Sequence, residues 1–138
     1  MTMSFVQNNW MLILVLLLSG GMLLWPLVQR RLSPARDVNN LAATQLVNGS
    51  NAVLLDVREP AEFGGGHLPK AINVPVGQIA SRGPELNKLA ARPVIVYCER
   101  GGRSRRAIGA LTQLGFKDVY NLSGGYLAWK DAGLPVER

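Results

Sequence analysis

VIVYCERGGRSRR, residues 94–106, carries the single cysteine of the chain at the point where a run of β-branched and aromatic residues stops. Two adjacent glycines and four arginines follow within the next eight positions. The run from Val94 to Tyr97 is continuous rather than alternating in its apolar character, as expected of a strand covered on both faces. Beyond the glycines, Ala107, Ile108, Leu111 and Leu114 fall on one helical face, which predicts a helix beginning near Ser104 as N-cap and stopping at Gly115. Strand, tight loop and helix in that order form the repeating unit of a parallel sheet.

The same trade between strand and helix runs outward in both directions. LAATQLV, closed by Asn48 and Gly49, reads as a helix, and AVLLDV and AINV read as strands. The turn-rich PVGQIASRGPELNKLA leads back to the cysteine stretch, after which RAIGALTQLG, DVYNL and GGYLAWKDAG alternate again. An α/β fold is expected, with a central, mostly parallel sheet flanked by helices on both faces. In open sheets of this kind ligands bind beyond the carboxyl ends of the strands. Cys98 lies at such an end, and so does the stretch from Asp56 to Glu59.

The N-terminal residues have another character. Trp10 to Val28 contains no charge, and nineteen residues at ~1.5 Å each make a helix of roughly 28 Å, close to the thickness of a bilayer core. Trp10 and Trp25 sit near its two ends, where indole rings favour the interface. A cleavable secretory signal is the rival reading, since Ser19 and Gly21 supply small residues, but MTMSFVQNN lacks the usual basic start. QRRLSPAR follows the span directly, so the positive-inside bias places the rest of the chain in the cytoplasm, as a single-pass protein of the inner (plasma) membrane. The expected organisation is a tail at 1–9, a transmembrane helix at 10–28, a linker at 29–37 and a folded domain at 38–138, with membrane lipid as one partner.

Charge narrows the remaining choices. The net charge is +6, of which Arg30, Arg31 and Arg36 supply half at the membrane junction. Arg100, Arg103, Arg105 and Arg106, less Glu99, supply the other half. No basic stripe with interleaved aromatics is left over, so nucleic acid is not an expected partner. One cysteine and one histidine exclude an intrachain disulfide and make no structural metal site.

A lone cysteine closing an apolar strand is commonly an inert core residue, but such a residue has no use for paired glycines and flanking arginines. Adjacent glycines let successive N–H groups turn toward one point, and a helix N-terminus adds partial positive charge there. With Arg100 and Arg103 adding Coulombic stabilisation, the Cys98 thiol pKa is expected to fall, making a thiolate nucleophile that needs no partner base. A cysteine phosphatase uses the same devices. Cys98 to Arg103 reads CxxxxR, one residue tighter than the tyrosine-phosphatase CxxxxxR, and a tighter ring suits a single sulfur atom better than a phosphoryl group.

CERGGRS resembles the C-x-x-G-x-R-S active loop of the rhodanese family. LLDVREPAEFGGGHLPKAINVP resembles the family's LIDVRE and GHIPGAINVP signatures, and GGYLAWKDAGLP its closing G-G-x-x-x-W-x-x-A-G-x-P, with Lys70 standing where the family has glycine. The resemblance runs from about Leu41 to Pro135. It implies the rhodanese-like fold and a sulfurtransferase that carries sulfur as a persulfide on Cys98, with a sulfur donor and acceptor as partners and no cofactor. Glu99, Arg100, Gly101, Gly102, Arg103 and Ser104 would bind the transferred sulfur or its donor. Asp56, Arg58 and His67 are supporting candidates, although DVRE after a buried strand also suits an internal ion pair, and His67 a hydrogen-bonded loop. Trp129 is expected in the core, and Arg105 and Arg106 on a solvated helix face or docked to an acidic partner. The rival to an enzyme is a tethered docking module for a membrane-protein or cytoplasmic partner. A phosphatase or arsenate reductase stands third.

Overall fold

The computed structural model describes residues 2–32 and 36–138 and divides the chain into two units, Met1–Ser33 and Pro34–Arg138. In the first unit a short helix α1 (Thr2–Asn8) precedes α2 (Trp10–Leu32). Within α2, the stretch Trp10–Val28 is the one helix among the described residues long and apolar enough to cross a membrane. Pro26 lies inside it. The helix runs on to Leu32, past the Val28 boundary expected from apolarity alone.

The second unit is built on five strands, β1 (Arg36–Val38), β2 (Val53–Asp56), β3 (Ile72–Asn73), β4 (Val94–Tyr97) and β5 (Val119–Leu122), all pairing parallel in the order β1-β5-β4-β2-β3. β4 is central, and all four of its residues are buried. Successive side chains of a strand point to opposite faces, and β4 divides in this way. Val94, Val96 and, just beyond the strand, Cys98 pack with Val53, Leu55, Ile108, Leu111 and Phe116. Ile95 and Tyr97 pack on the other face with Leu54, Leu122 and Trp129. Helices cover both faces: α6 (Gly102–Gln113) follows β4, while α3 (Asn40–Ser50) and α7 (Gly125–Asp131) supply Ala43 and Trp129 to the opposite layer. Two short helices, α4 (Pro60–Gly64) and α5 (Gly83–Leu86), complete the unit with two 3-10 turns, at Val76–Gln78 and Asn87–Leu89.

Three local expectations are corrected. Ser104 is not the N-cap of α6: that place is taken by Gly101 at φ 127°, and Ser104 lies buried within the first turn. An early start is available because Gly101 adopts a backbone conformation closed to other residues. Asn48 and Gly49 lie within α3, which ends instead at Asn51 in the left-handed region, φ 55°. Arg36 and Asp37, expected in a linker, form the edge strand β1 and pair with Tyr120 and Asn121.

Candidate active site

The cysteine loop is shaped by what lies on either side of it. β4 ends at Tyr97, and Cys98 follows with only 2% of its surface exposed. Gly101 has a positive φ of 127°, and its N donates to Cys98 Sγ at 3.0 Å. From inside α6, Ser104 Oγ stands 3.6 Å from the same sulfur. That hydroxyl also lies 2.9 Å from the Gly101 carbonyl and 2.6 Å from Asn121 Oδ1, while Asn121 Nδ2 donates to Asp37 at 2.9 Å. Asn121 is buried at the carboxyl end of β5. A chain of hydrogen bonds therefore runs from the thiol through Ser104 and Asn121 to Asp37, which also receives Arg105 at 2.9 Å.

Burial by itself pushes the Cys98 thiol up, yet hydrogen bonding with the Ser104 hydroxyl and with the amides of Ser104, Gly101 and Arg100 outweighs it, and the pKa lies below its ordinary value. The mechanism is the one that stabilises any anion in a nest of donors at a helix start. It is the hydroxyl and the amides, more than a guanidinium, that do this. Arg103, expected to add Coulombic stabilisation, lines the site and its charge interacts with Cys98, but its fork is taken by Glu62, with Nη1 2.6 Å from Oε1 and Nη2 2.9 Å from Oε2. The pair holds the Glu62 carboxyl down at about 2, chiefly through the Arg103 hydrogen bond.

Asp56 and Arg58 come together beneath the loop, as an internal ion pair. Arg58 is 1% exposed, and its Nε and Nη2 reach the Asp56 carboxylate at distances from 2.7 to 3.0 Å. Burial alone would lower the Arg58 pKa, but the hydrogen bonds and charge of Asp56 more than reverse that, so the guanidinium stays charged. It also donates to the Gly66 carbonyl at 2.6 Å and to Glu99 at 3.3 Å, and its Cζ lies over the Tyr126 ring, 4.3 Å from the centroid. One side chain thus joins the DVR, GGGH, CERGG and GGY stretches. The last of these also clamps the loop directly: Tyr126 N donates to the Cys98 carbonyl at 2.8 Å and Leu127 N to the Glu99 carbonyl at 3.1 Å.

His67 stands apart from the sulfur. Its Nδ1 is 2.9 Å from the Phe63 carbonyl, its ring stacks on Phe63 at 3.8 Å, and its backbone bridges to Glu137. Trp129 is buried, donating from Nε1 to the Pro135 carbonyl at 2.9 Å.

Above the sulfur opens a cavity of about 460 Å³ lined by Cys98, Glu99, Arg100, Gly102, Arg103 and Arg106. A second cavity, about 360 Å³ and lined by Thr112, Gly115, Phe116, Lys117 and Val119, lies toward the amino end of β5 and contains no nucleophile of comparable character. No cluster of three or more metal-ligating side chains occurs among the described residues. Sequence reasoning did not find Glu62, Asn121 or Gly125. Asn121 alone had a local signal, a polar residue inside the apolar run DVYNL.

The arrangement suits a thiolate that attacks a soft, electrophilic atom of an anion. An Allochromatium vinosum protein named a sulfurtransferase is 39% identical over 92 residues, 67% of this chain and 84% of its own length. A Coxiella burnetii thiosulfate sulfurtransferase, GlpE, is 30% identical over 95 residues, 69% of this chain and 87% of its own. The crystal structure of a rhodanese-related protein from Thermoplasma volcanium superposes with a TM-score of 0.64 at 32% identity, covering 74% of this chain and 97% of that one. The profile of the rhodanese-like domain matches residues 40–132, so the chain belongs to the rhodanese-like domain family, among whose members are named sulfurtransferases.

Proposed function

We propose that this protein is a membrane-anchored sulfurtransferase that carries sulfane sulfur as a persulfide on Cys98. In the first half-reaction the Cys98 thiolate attacks the outer sulfur of thiosulfate or of a persulfide donor. The new S–S bond forms as the donor's S–S bond breaks, and sulfite or a thiolate leaves with the electron pair. In the second, a thiophilic acceptor such as cyanide or a thiol attacks the terminal sulfur, and the Cys98 thiolate is regenerated. No external oxidant or reductant is needed. The Gly101 amide and Ser104 hydroxyl serve the anion at the start and end of each cycle, and the amides from Glu99 to Arg103 are assigned to the terminal sulfur of the persulfide.

The observation that carries this reading is a thiol with a lowered pKa beneath an open cavity rimmed by arginine. The proposed organisation has a short segment at 1–9, the membrane span at 10–28, a connection that ends before β1, and a catalytic domain from Arg36 to Arg138 on the cytoplasmic side of the inner membrane. Support for the span is its length and apolarity, and support for the orientation is the arginines that follow it. Intact mass measured after incubation with thiosulfate should increase by about 32 Da, one sulfur on the nucleophilic thiol, and Cys98→Ala should show no gain. An unmodified wild-type protein would overturn the enzymatic reading and leave a docking module in its place.

A further inference from the structure

The charges around the Cys98 cavity do not all act on what enters it. Glu99 is turned to Arg58 at 3.3 Å. Arg103 gives both arms of its fork to Glu62, a bidentate geometry among the stronger forms of ion pair. Glu62 is itself fixed in place, because Oε1 accepts from the Glu59 amide at 3.2 Å in the capping box of α4. Arg105, next along α6, faces Asp37. Arg100 and Arg106 also line the cavity and are exposed, and neither guanidinium has a hydrogen bond or ion pair among the described residues. Arg103 and Arg106 are three residues apart on α6 and so share one helical face.

We propose that Glu62 is a specificity residue that withholds Arg103 from anions entering the cavity, and that Arg106, together with Arg100, receives their charge. The identity of the donor rests on the sulfurtransferase reading; the assignment of charges rests on the ion-pair geometry alone. The mouth then offers two available cations and a third that an incoming dianion must take from a carboxylate. A dianion such as thiosulfate competes with Glu62 for that third cation, and a monoanionic thiosulfonate has no need of it. Glu62 therefore narrows the preference for doubly charged donors that three free arginines would confer.

Cys98 is the only cysteine in the chain, so alkylation of the full-length protein in detergent reports on this site alone. The ratio of its rates with iodoacetate, an anion, and iodoacetamide, which is neutral, measures the pull of the mouth on negative charge and largely cancels the thiolate fraction. Glu62→Gln keeps the carbonyl oxygen that accepts from the Glu59 amide and should raise the ratio about two- to fivefold, the scale of one partly exposed charge. Arg106→Gln should lower it by a similar factor. In an Arg103→Gln background, Glu62→Gln should no longer raise it. An unchanged or reduced ratio in Glu62→Gln overturns the withholding role, and an unchanged ratio in Arg106→Gln overturns the receiving role. The Arg106 arm stands on an exposed side chain and tests the proposal even where a Glu62 variant fails to fold. A missing thiosulfate adduct on the wild-type protein removes the sulfurtransferase reading and leaves the alkylation ratios to judge the charges. An adduct with flat ratios removes the present proposal alone.

Discussion

Gly125 is pressed against the backbone of Cys98: a Cβ built on it would stand 2.5 Å from the Cys98 carbonyl oxygen and 2.7 Å from that of Glu99. Its φ of 61° lies in the left-handed region as well. Both constraints oppose any side chain, because a backbone oxygen cannot rotate out of the way. Gly125→Ala is expected to cost roughly 2–3 kcal/mol in urea unfolding. The Tyr126 amide would be pushed off the loop, and the thiol titration should move upward with it.

Ser104 is the larger hydrogen-bonding influence on the thiol. Ser104→Ala should raise the Cys98 pKa, read by thiolate absorbance or the pH dependence of alkylation. It also strands Asn121 Oδ1 in the interior, at a cost of about 1–3 kcal/mol. The sign of the accompanying pH effect follows from a folded-state pKa below the unfolded one. The thiolate's contribution to stability is complete above the unfolded cysteine value and is lost as pH falls through the folded one. Wild type should therefore gain stability relative to Cys98→Ser as pH rises across that window, and equal slopes for the two proteins would contradict the lowered pKa.

Removing Arg58 leaves the fully buried Asp56 carboxylate without its cation. Arg58→Ala is expected to lose roughly 3–5 kcal/mol. Asp56→Asn combined with Arg58→Met should cost less than the two single changes added together, because no uncompensated charge remains. Chemical denaturation of the four proteins completes the cycle.

Lys70 has φ 62°, the conformation that glycine adopts freely at the corresponding place in the family pattern. Its backbone N–H donates to Glu137 Oε2 at 3.2 Å, a hydrogen bond that does not involve the lysine side chain. Lys70→Gly should stabilise the fold by about 0.5–1 kcal/mol, the left-handed penalty less the added freedom of glycine when unfolded. A lower urea midpoint would show that the lysine side chain contributes more than its strain.

Three of the strands legible in the sequence are largely buried, while the fourth, β3 within AINV, is a two-residue edge strand. VLLD, VIVY and VYNL announce themselves by continuous apolarity, and their parallel pairing follows from the helices between them. Arg-Asp-Val at 36–38 does not, because an edge strand with two exposed polar residues has the composition of a linker. At the site, Asp56 and Arg58 are two residues apart, and their pairing was readable as an alternative. Arg103 and Glu62 are separated by 41 residues, and nothing local distinguishes an arginine aimed at a sulfur from one aimed at a distant carboxylate. The start of α6 was misplaced for a related reason: serine is the commoner cap, and only the geometry of the sulfur shows why glycine takes its place.

The strand order also bears on how the domain comes into being on the ribosome. Among the described residues β1 pairs with β5 alone, which follows it by some eighty residues, with Arg36 opposite Tyr120 and Val38 opposite Leu122. Until residues beyond Gly125 have emerged, neither that edge nor the amide clamp on the cysteine loop can close, and such long-range pairing is slow to form. The thiol therefore leaves the ribosome before the clamp on its loop can close, and the surroundings that lower its pKa are completed only once α7 has emerged.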